Sequence, residues 1–331
     1  MPNSTNKLLS TRRHALLAGA GCALSFALPA RAQTFPSKPI RIIVPFGPGG
    51  IADLTARVIA KKLGENLGQG VVVENRPGAG GVVAGELASK AEADGHVLLL
   101  MSNGTAVSAG MFKSLPFDAQ KDFAPVATLG FFDLAVLTTA DSRFKSMQDL
   151  LNFAKANPGK LNLATINVGS TQHLAAELLK TSAGLDFQVV PFNGSPAVLT
   201  ALRGGQVDAA IEILGPMLSQ ISAKAVRPLA VLGAHRASAL PDVPTMAQSG
   251  VNGFDVASWN ALAAPARTPP QVIAQLNREV NKVLADAGVR KQLADLNVSP
   301  QGGTPDQLRD LLASEIRRWA DVIVRAKVPR Q

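Results

Sequence analysis

IRIIVPFGPGGIADLTARVIAKKLG runs from Ile40 to Gly64. An apolar, β-branched run ends at Pro45-Phe46, passes through Gly47-Pro48-Gly49-Gly50, and opens into a helical pattern over Ile51–Leu67. In open α/β sheets, ligands sit beyond the carboxyl ends of the strands. The first turn of a helix leaves N–H groups unpaired and carries partial positive charge. The turn is therefore a place for an anion: a nucleotide phosphate, the substrate of a nucleophile, or a small carboxylate.

The same grammar continues along the chain. Strands are expected at Arg41–Phe46, Val71–Glu74, His96–Ser102, Val126–Leu137, Leu161–Thr165, Gln188–Phe192, Val207–Ile213, Val226–Leu232 and Val256–Ala263. Helices are expected at Ile51–Leu67, Gly81–Lys90, Ser146–Ala156, Ser170–Ala183 and Ser195–Arg203, with two more at the end. Such alternation argues for parallel sheets with helices on both faces. Thr268-Pro269-Pro270 reads as a cap before prolines in a first turn. Thr304-Pro305-Asp306-Gln307 reads as a capping box, and Trp319 lies on the apolar stripe that follows, as core. One echo stands out: IIVPFGPGGIAD at 42–53 and QVVPFNGSPAVL at 188–199 both end a strand in Pro-Phe before a glycine turn and a helix. Two halves built alike would face each other across a cleft.

The first 32 residues read as a secretory signal. Lys7, Arg12 and Arg13 precede an apolar run over Ala15–Leu28, and Ala30-Arg31-Ala32 supplies a small-x-small cleavage motif. Arg12-Arg13 hints at the twin-arginine route. The single cysteine, Cys22, lies in this segment, so the mature chain holds no disulfide and no thiolate chemistry. Removing Lys7, Arg12, Arg13 and Arg31 lowers the formal charge from +9 to +5. That surplus is spread out, without the clustering that nucleic acid demands. A periplasmic protein without stable membrane insertion is expected.

The three candidates separate on chemistry. Gly47–Gly50 lacks the Lys-Ser/Thr of a phosphate loop, and Val83 stands where Gly78-Ala79-Gly80-Gly81 would need a third glycine. No Gly-x-Ser-x-Gly elbow occurs, and the histidines have no metal spacing. Neither enzyme nor cofactor is expected. A carboxylate fits best: Gly49-Gly50, Gly80-Gly81, Gly169-Ser170-Thr171 and Asn193-Gly194-Ser195 each place glycine or hydroxyls before a helix. Backbone N–H groups then hold an anion with no lysine or arginine.

The sequence resembles the Bug family of extracytoplasmic solute receptors, the substrate-binding proteins of tripartite tricarboxylate transporters. The likeness rests on PSKPIRIIVPFGPGG with Asp53, VVVENRPGAGG, ADGHVLLL, SLPFDAQKDFAPVA, PGKLNLATINVGSTQHLAAELL, VVPFNGSPAVLTALRGGQVDAAIE, ALPDVPTMAQSG and SWNALAAPARTP, in that order. It implies an α/β, type II periplasmic-binding-protein fold: two α/β domains, a ligand cleft between them and two crossover segments, near Phe131–Val136 and Leu229–Gly233. Domain 1 would comprise 33–133 plus 234–331, and domain 2 residues 134–233. It also implies a small carboxylate ligand, membrane transporter subunits as partners and a monomeric receptor; a ligand sensor signalling to a membrane protein would use the same cleft. The implied site is Phe46, Gly47, Gly49 and Gly50 in the first turn, and Ser102, Asn103, Gly104 and Thr105 in a second loop. Thr165, Asn167, Gly169, Ser170 and Thr171, with Phe192, Asn193 and Gly194, face them. Gly47 replaces the family's usual proline or alanine, and LATINVGST departs from Tyr-Ala-Ser-x-Gly. Ile166 and the absence of tyrosine disfavour a stacked aromatic ligand.

Two carboxylates leave alternatives open. Asp53 either stabilises a helix N-terminus, worth about 0.3–1 kcal/mol, or meets a ligand amine or water. Glu212 either is a solvated strand-end charge or partners a ligand amino or hydroxyl group.

Overall fold

The opening strand and helix form with β1 at Ile40–Val44 and α1 at Ile51–Leu67. Gly50 enters α1 in extended conformation, and Gly68 ends it at φ 64°, its N–H donating to the Gly64 carbonyl. Ile51, Ala52, Thr55, Ala56, Ile59, Ala60 and Leu63 form the buried face, the helical spacing that an amphipathic segment needs. The computed structural model describes residues 35–325 and 327–330. The signal segment, its cleavage point after Ala32 and Cys22 lie outside the described residues.

The chain continues through β2 (Val71–Asn75), α2 (Val82–Ser89), β3 (Val97–Ser102), α3 (Asn103–Met111) and the long β4 (Phe123–Thr139). Then come α4 (Met147–Ala156), β5 (Asn162–Ile166), α5 (Thr171–Ala183), β6 (Gln188–Phe192), α6 (Ser195–Arg203), β7 (Ala209–Ile213), α7 (Leu214–Ser222) and β8 (Val226–Val231). It closes with β9 (Ala257–Pro265), α8 (Pro270–Ala285), α9 (Ala287–Asp295), β10 (Val298–Gly302) and α10 (Pro305–Arg325).

The strands lie in the order β2-β1-β3-β9-β4-β7-β5-β6, with β8 and β10 also paired to β4. β1 is parallel to β2 and β3, and β5 is parallel to β6 and β7. Everything that touches β4 is antiparallel. Up to Asp133, β4 pairs with β9 and β10; from Leu134 it pairs with β7 and β8. One strand thus stitches two parallel α/β halves together.

Four elements were not expected from sequence: α3, α7, α9 and β10. Asn103-Gly104-Thr105 is poor helix material, and the sequence reads as a loop there. Burial of most of α3 overrides propensity, and Ser102 with Thr105 forms a capping box at its start. Pro216 sits in the first turn of α7, where a missing N–H costs nothing. Thr268 does not cap α8; Pro269 holds that position. The Thr304–Gln307 box is present, each side chain accepting from the other residue's backbone N–H. Trp319 is fully buried, and its indole N–H donates to Asn103 Oδ1 at 2.7 Å.

Candidate functional site

Five helices direct their first turns at one cavity. Gly50, Ile51 and Ala52 come from the start of α1, Ser102 from that of α3, and Thr171 and Gln172 from that of α5. Gly194 and Ser195 come from α6, and Ile213 precedes α7. Phe46, Gly47, Phe132, Ile166, Ser258 and Asn260 complete the wall of a small, mostly apolar cavity. No lining residue is charged.

The helix starts differ in how their N–H groups are satisfied. Ser102 Oγ accepts from the Gly104 N–H at 3.1 Å, capping α3. Ser170 Oγ accepts from the His173 N–H at 3.1 Å, capping α5, and donates to the Ile166 carbonyl. No side chain caps α1, α6 or α7. The first turn of α1 therefore keeps backbone donors in reserve at the cavity, and that of α6 keeps the Ser195 N–H, since Pro196 has none and Ala197 donates to the Gly194 carbonyl.

The echoed turns meet here. A Cβ on Gly47 would lie 4.0 Å from the Asn193 carbonyl oxygen, one on Gly49 3.7 Å from Pro196 Cγ, and one on Gly50 4.0 Å from Ser195 Oγ. The Pro-Phe turn of the first half faces the Pro-Phe turn of the second across a few ångströms. Gly104 packs between Phe46 and the Gly169 carbonyl, where an added Cβ would sit at 3.3 and 3.6 Å.

Of the residues expected at the site, Phe46, Gly47, Gly50, Ser102, Thr171 and Gly194 line the cavity. Gly49, Phe192 and Asn193 belong to the two facing turns but not to the lining. Asn103 is tied to Trp319, and Thr105 Oγ1 accepts from the Ser102 N–H. Thr165 is fully buried in β5, Asn167 is half-buried in the following loop, and Gly169 and Ser170 stand behind the lining.

Asp53 is held within its own turn. Its Oδ2 accepts from the Gly49 N–H at 3.0 Å and its Oδ1 from Arg57 Nε at 3.0 Å. Arg57 also donates to Asn75, whose amide donates to the Phe46 carbonyl. Of the two readings of Asp53, this geometry supports the helix-terminal one, and Arg57 and Asn75 brace the turn with it. Burial raises its pKa, but hydrogen bonds from Arg57, the Gly49 N–H and Asn75 outweigh that and leave it below the usual value. A depressed folded-state pKa stabilises above the unfolded value and is lost as pH falls through the folded one. Asp53→Asn is expected to cost about 1–2 kcal/mol at neutral pH, with the difference shrinking toward about pH 3. Urea unfolding of both proteins at the two pH values measures it.

Glu212 is not a solvated strand-end charge. It is fully buried, because β7 lies inside the sheet between β4 and β5.

Ser258, Asn260, Gln172, Phe132, Ile51 and Ile213 were not foreseen at the site. Asn260 is 1 % exposed, and neither atom of its amide has a hydrogen-bond partner. Buried polar groups are almost always paired, so the amide on the cavity wall is free to pair with a group inside the cavity. The available signal was two polar residues, Ser258 and Asn260, two apart on one face of an otherwise apolar strand. Thr171 and Ser258 hydroxyls bond to each other at 3.1 Å across α5 and β9. Among the described residues, no His/Cys/Asp/Glu group is arranged to hold a metal, and no helix is long and apolar enough to cross a membrane.

Residues 55–328 match the family described as tripartite tricarboxylate transporter family receptor. BugT of Bordetella pertussis is 39% identical over 299 residues, covering 90% of this chain and 92% of BugT. Among solved structures, the periplasmic binding protein BugD superposes with a TM-score of 0.85 at 29% identity, covering 90% of this chain and all of BugD. Rpa4515 of R. palustris, solved with adipate, gives 0.85 at 32% identity over 88% of this chain and 98% of its own. MatC from Rhodopseudomonas palustris, solved with bound malate, gives 0.83 at 32% identity over 87% of this chain and 100% of its own. The fold is therefore the α/β architecture of these periplasmic binding proteins, and the chain belongs to the tripartite tricarboxylate transporter receptor family, whose members are solute-binding receptors and not enzymes.

Proposed function

We propose that the protein is a periplasmic receptor that captures a small aliphatic carboxylate in this cavity and delivers it to tripartite tricarboxylate-type membrane subunits. The observation that carries this reading is the cavity itself: three uncapped helix starts and no charged side chain. Such a site holds an anion through backbone donors, each hydrogen bond to the charged group being worth about 1.5–3 kcal/mol. Phe46, Ile51, Phe132, Ile166 and Ile213 offer an apolar wall to a methylene chain. The adipate and malate carried by two relatives at 32% identity agree in class.

Residues 33–133 plus 234–331 form one lobe in this proposal and 134–233 the other, hinged where β4 changes partners between Asp133 and Leu134. Ligand release requires the facing Pro-Phe turns to part, a hinge closure in reverse. The protein acts as a monomer.

Native mass spectrometry of the protein as purified from its periplasm should show a bound small acid. A bound species without a carboxyl group would end this reading. Asn260→Leu is expected to weaken binding of that acid by about tenfold, since one hydrogen bond is lost at a desolvated position. Calorimetric titration gives the number.

A further inference from the structure

Behind the cavity wall lies a carboxyl group that the binding geometry alone does not use. Glu212 Oε2 accepts from the Ile213 N–H at 2.9 Å, from Ser195 Oγ at 3.1 Å and, at longer range, from Gln172 Nε2 at 3.4 Å. Oε1 has no partner. Ser195, Gln172 and Ile213 all line the cavity. Glu212 is therefore one hydrogen bond removed from the cavity.

A serine hydroxyl has one hydrogen. While Glu212 is ionised, that hydrogen is committed to Oε2, and Ser195 turns only lone pairs toward the cavity. A carboxylate arriving at the α1 and α6 starts would meet a hydroxyl acceptor backed by a second negative charge. Like charges in a low-dielectric site disfavour joint ionisation. No lysine or arginine in the lining offsets the repulsion. A protonated Glu212 reverses the polarity: its O–H donates to Ser195 Oγ, and Ser195 donates its own hydrogen to the ligand oxygen. The chain carries one added proton and breaks no other bond.

We propose, building on the carboxylate reading, that Glu212 is a proton-linked positioning residue: ligand carboxylate binds together with one proton, which lodges on Glu212 and turns Ser195 from acceptor to donor. Burial, opposed by the hydrogen bonds from Ile213, Gln172 and Ser195, already pushes the Glu212 carboxyl up to about 7. The elements packed against it are β4, β5, α5, α6 and α7. Their titratable residues are Asp133 on β4, His173, Glu177 and Lys180 on α5, and Arg203 on α6. None contributes to the shift at Glu212. His173 is kept neutral by burial, its pKa lowered to about 4.

The sign follows from linkage. A bound anion raises the Glu212 pKa further, so the complex holds more protons than the free receptor above about pH 7, and affinity falls as pH rises there. Below that, both states are protonated and affinity is level.

The test is calorimetric titration of the full-length mature protein with adipate, malate and succinate, each near pH 6 and pH 8 in two buffers of different ionisation heat. These acids are fully ionised at about pH 8 and release no proton of their own. The expected result is uptake of about one proton per ligand at pH 8, little at pH 6, and affinity falling by up to about tenfold per pH unit above 7. Glu212→Gln, whose amide donates to Ser195 at every pH, should bind without proton uptake and without pH dependence. Binding without proton uptake at pH 8, or uptake that survives in Glu212→Gln, overturns the proton linkage and leaves the carboxylate reading standing. Failure of all three acids to bind at either pH overturns both.

Discussion

Gly50→Val is expected to abolish carboxylate binding, by more than about hundredfold, while leaving the fold and its melting temperature close to the parent's. The size follows from blocking at least one charge-assisted backbone contact and its neighbours, each worth about 1.5–3 kcal/mol. Gly50 is the N-cap of α1 and lines the cavity. Its φ of −83° and ψ of 168° are extended values that valine adopts without strain. The added Cβ meets nothing closer than the Gly47 carbonyl at 3.9 Å and Ser195 Oγ at 4.0 Å. The valine methyls would occupy the space through which a ligand oxygen reaches the α1 N–H groups. Gly49 is a poorer place for the same experiment. Its φ of 81° is left-handed, so valine there would distort the turn itself. Calorimetry paired with a thermal melt reads both quantities. Parental affinity in a folded Gly50→Val protein would show that the turn is only a helix start.

Gly215→Ala is expected to cost about as much affinity by a different route. A Cβ at Gly215 would lie 1.8 Å from the Leu296 carbonyl oxygen and 2.8 Å from its carbon. Backbone cannot swing aside as a side-chain tip can. Gly215 opens α7 in one half, and Leu296 ends α9 in the other. Under the proposed hinge, this contact forms only when the halves close. Alanine therefore holds the cleft ajar and depletes the binding-competent state. Apparent affinity falls by the fraction that remains, so one closed molecule in about a hundred gives a hundredfold loss. The expected signature is a normally folded protein whose radius of gyration no longer contracts with ligand. Loss of cooperative folding instead would place the contact in a permanent core and remove the hinge at Asp133/Leu134.

The parts of the site visible in sequence are those written in local backbone chemistry. Pro-Phe followed by glycine ends a strand wherever it occurs, so both facing turns and the helices behind them could be drawn from residues alone. Ser170 and Thr105 show the limit of that method. A hydroxyl before a helix serves ligand and helix equally on paper, and in the fold the neighbouring N–H groups claim both. Asn103 looked like a loop residue beside a ligand because nothing nearby in sequence announces Trp319, 216 positions later. Ser258 and Asn260 depend on where β9 is inserted between β3 and β4, which no local pattern specifies. Sequence leaves Glu212 open between a solvated strand-end charge and a partner for a ligand, because burial of β7 on both sides is a property of the assembled sheet. The short helix α3 formed against its propensities, since burial in a core outweighs a few tenths of a kcal/mol per residue.

Backbone donors at helix starts, not a basic side chain, are expected to hold the ligand's charge. A crystal structure of the protein with adipate or malate bound tests it most directly. Carboxylate oxygens are expected within hydrogen-bond distance, about 2.7–3.2 Å, of N–H groups in the first turns of α1 and α6, with no lysine or arginine in contact. A carboxylate held by an arginine or lysine, or seated outside the cavity between the two Pro-Phe turns, would contradict it.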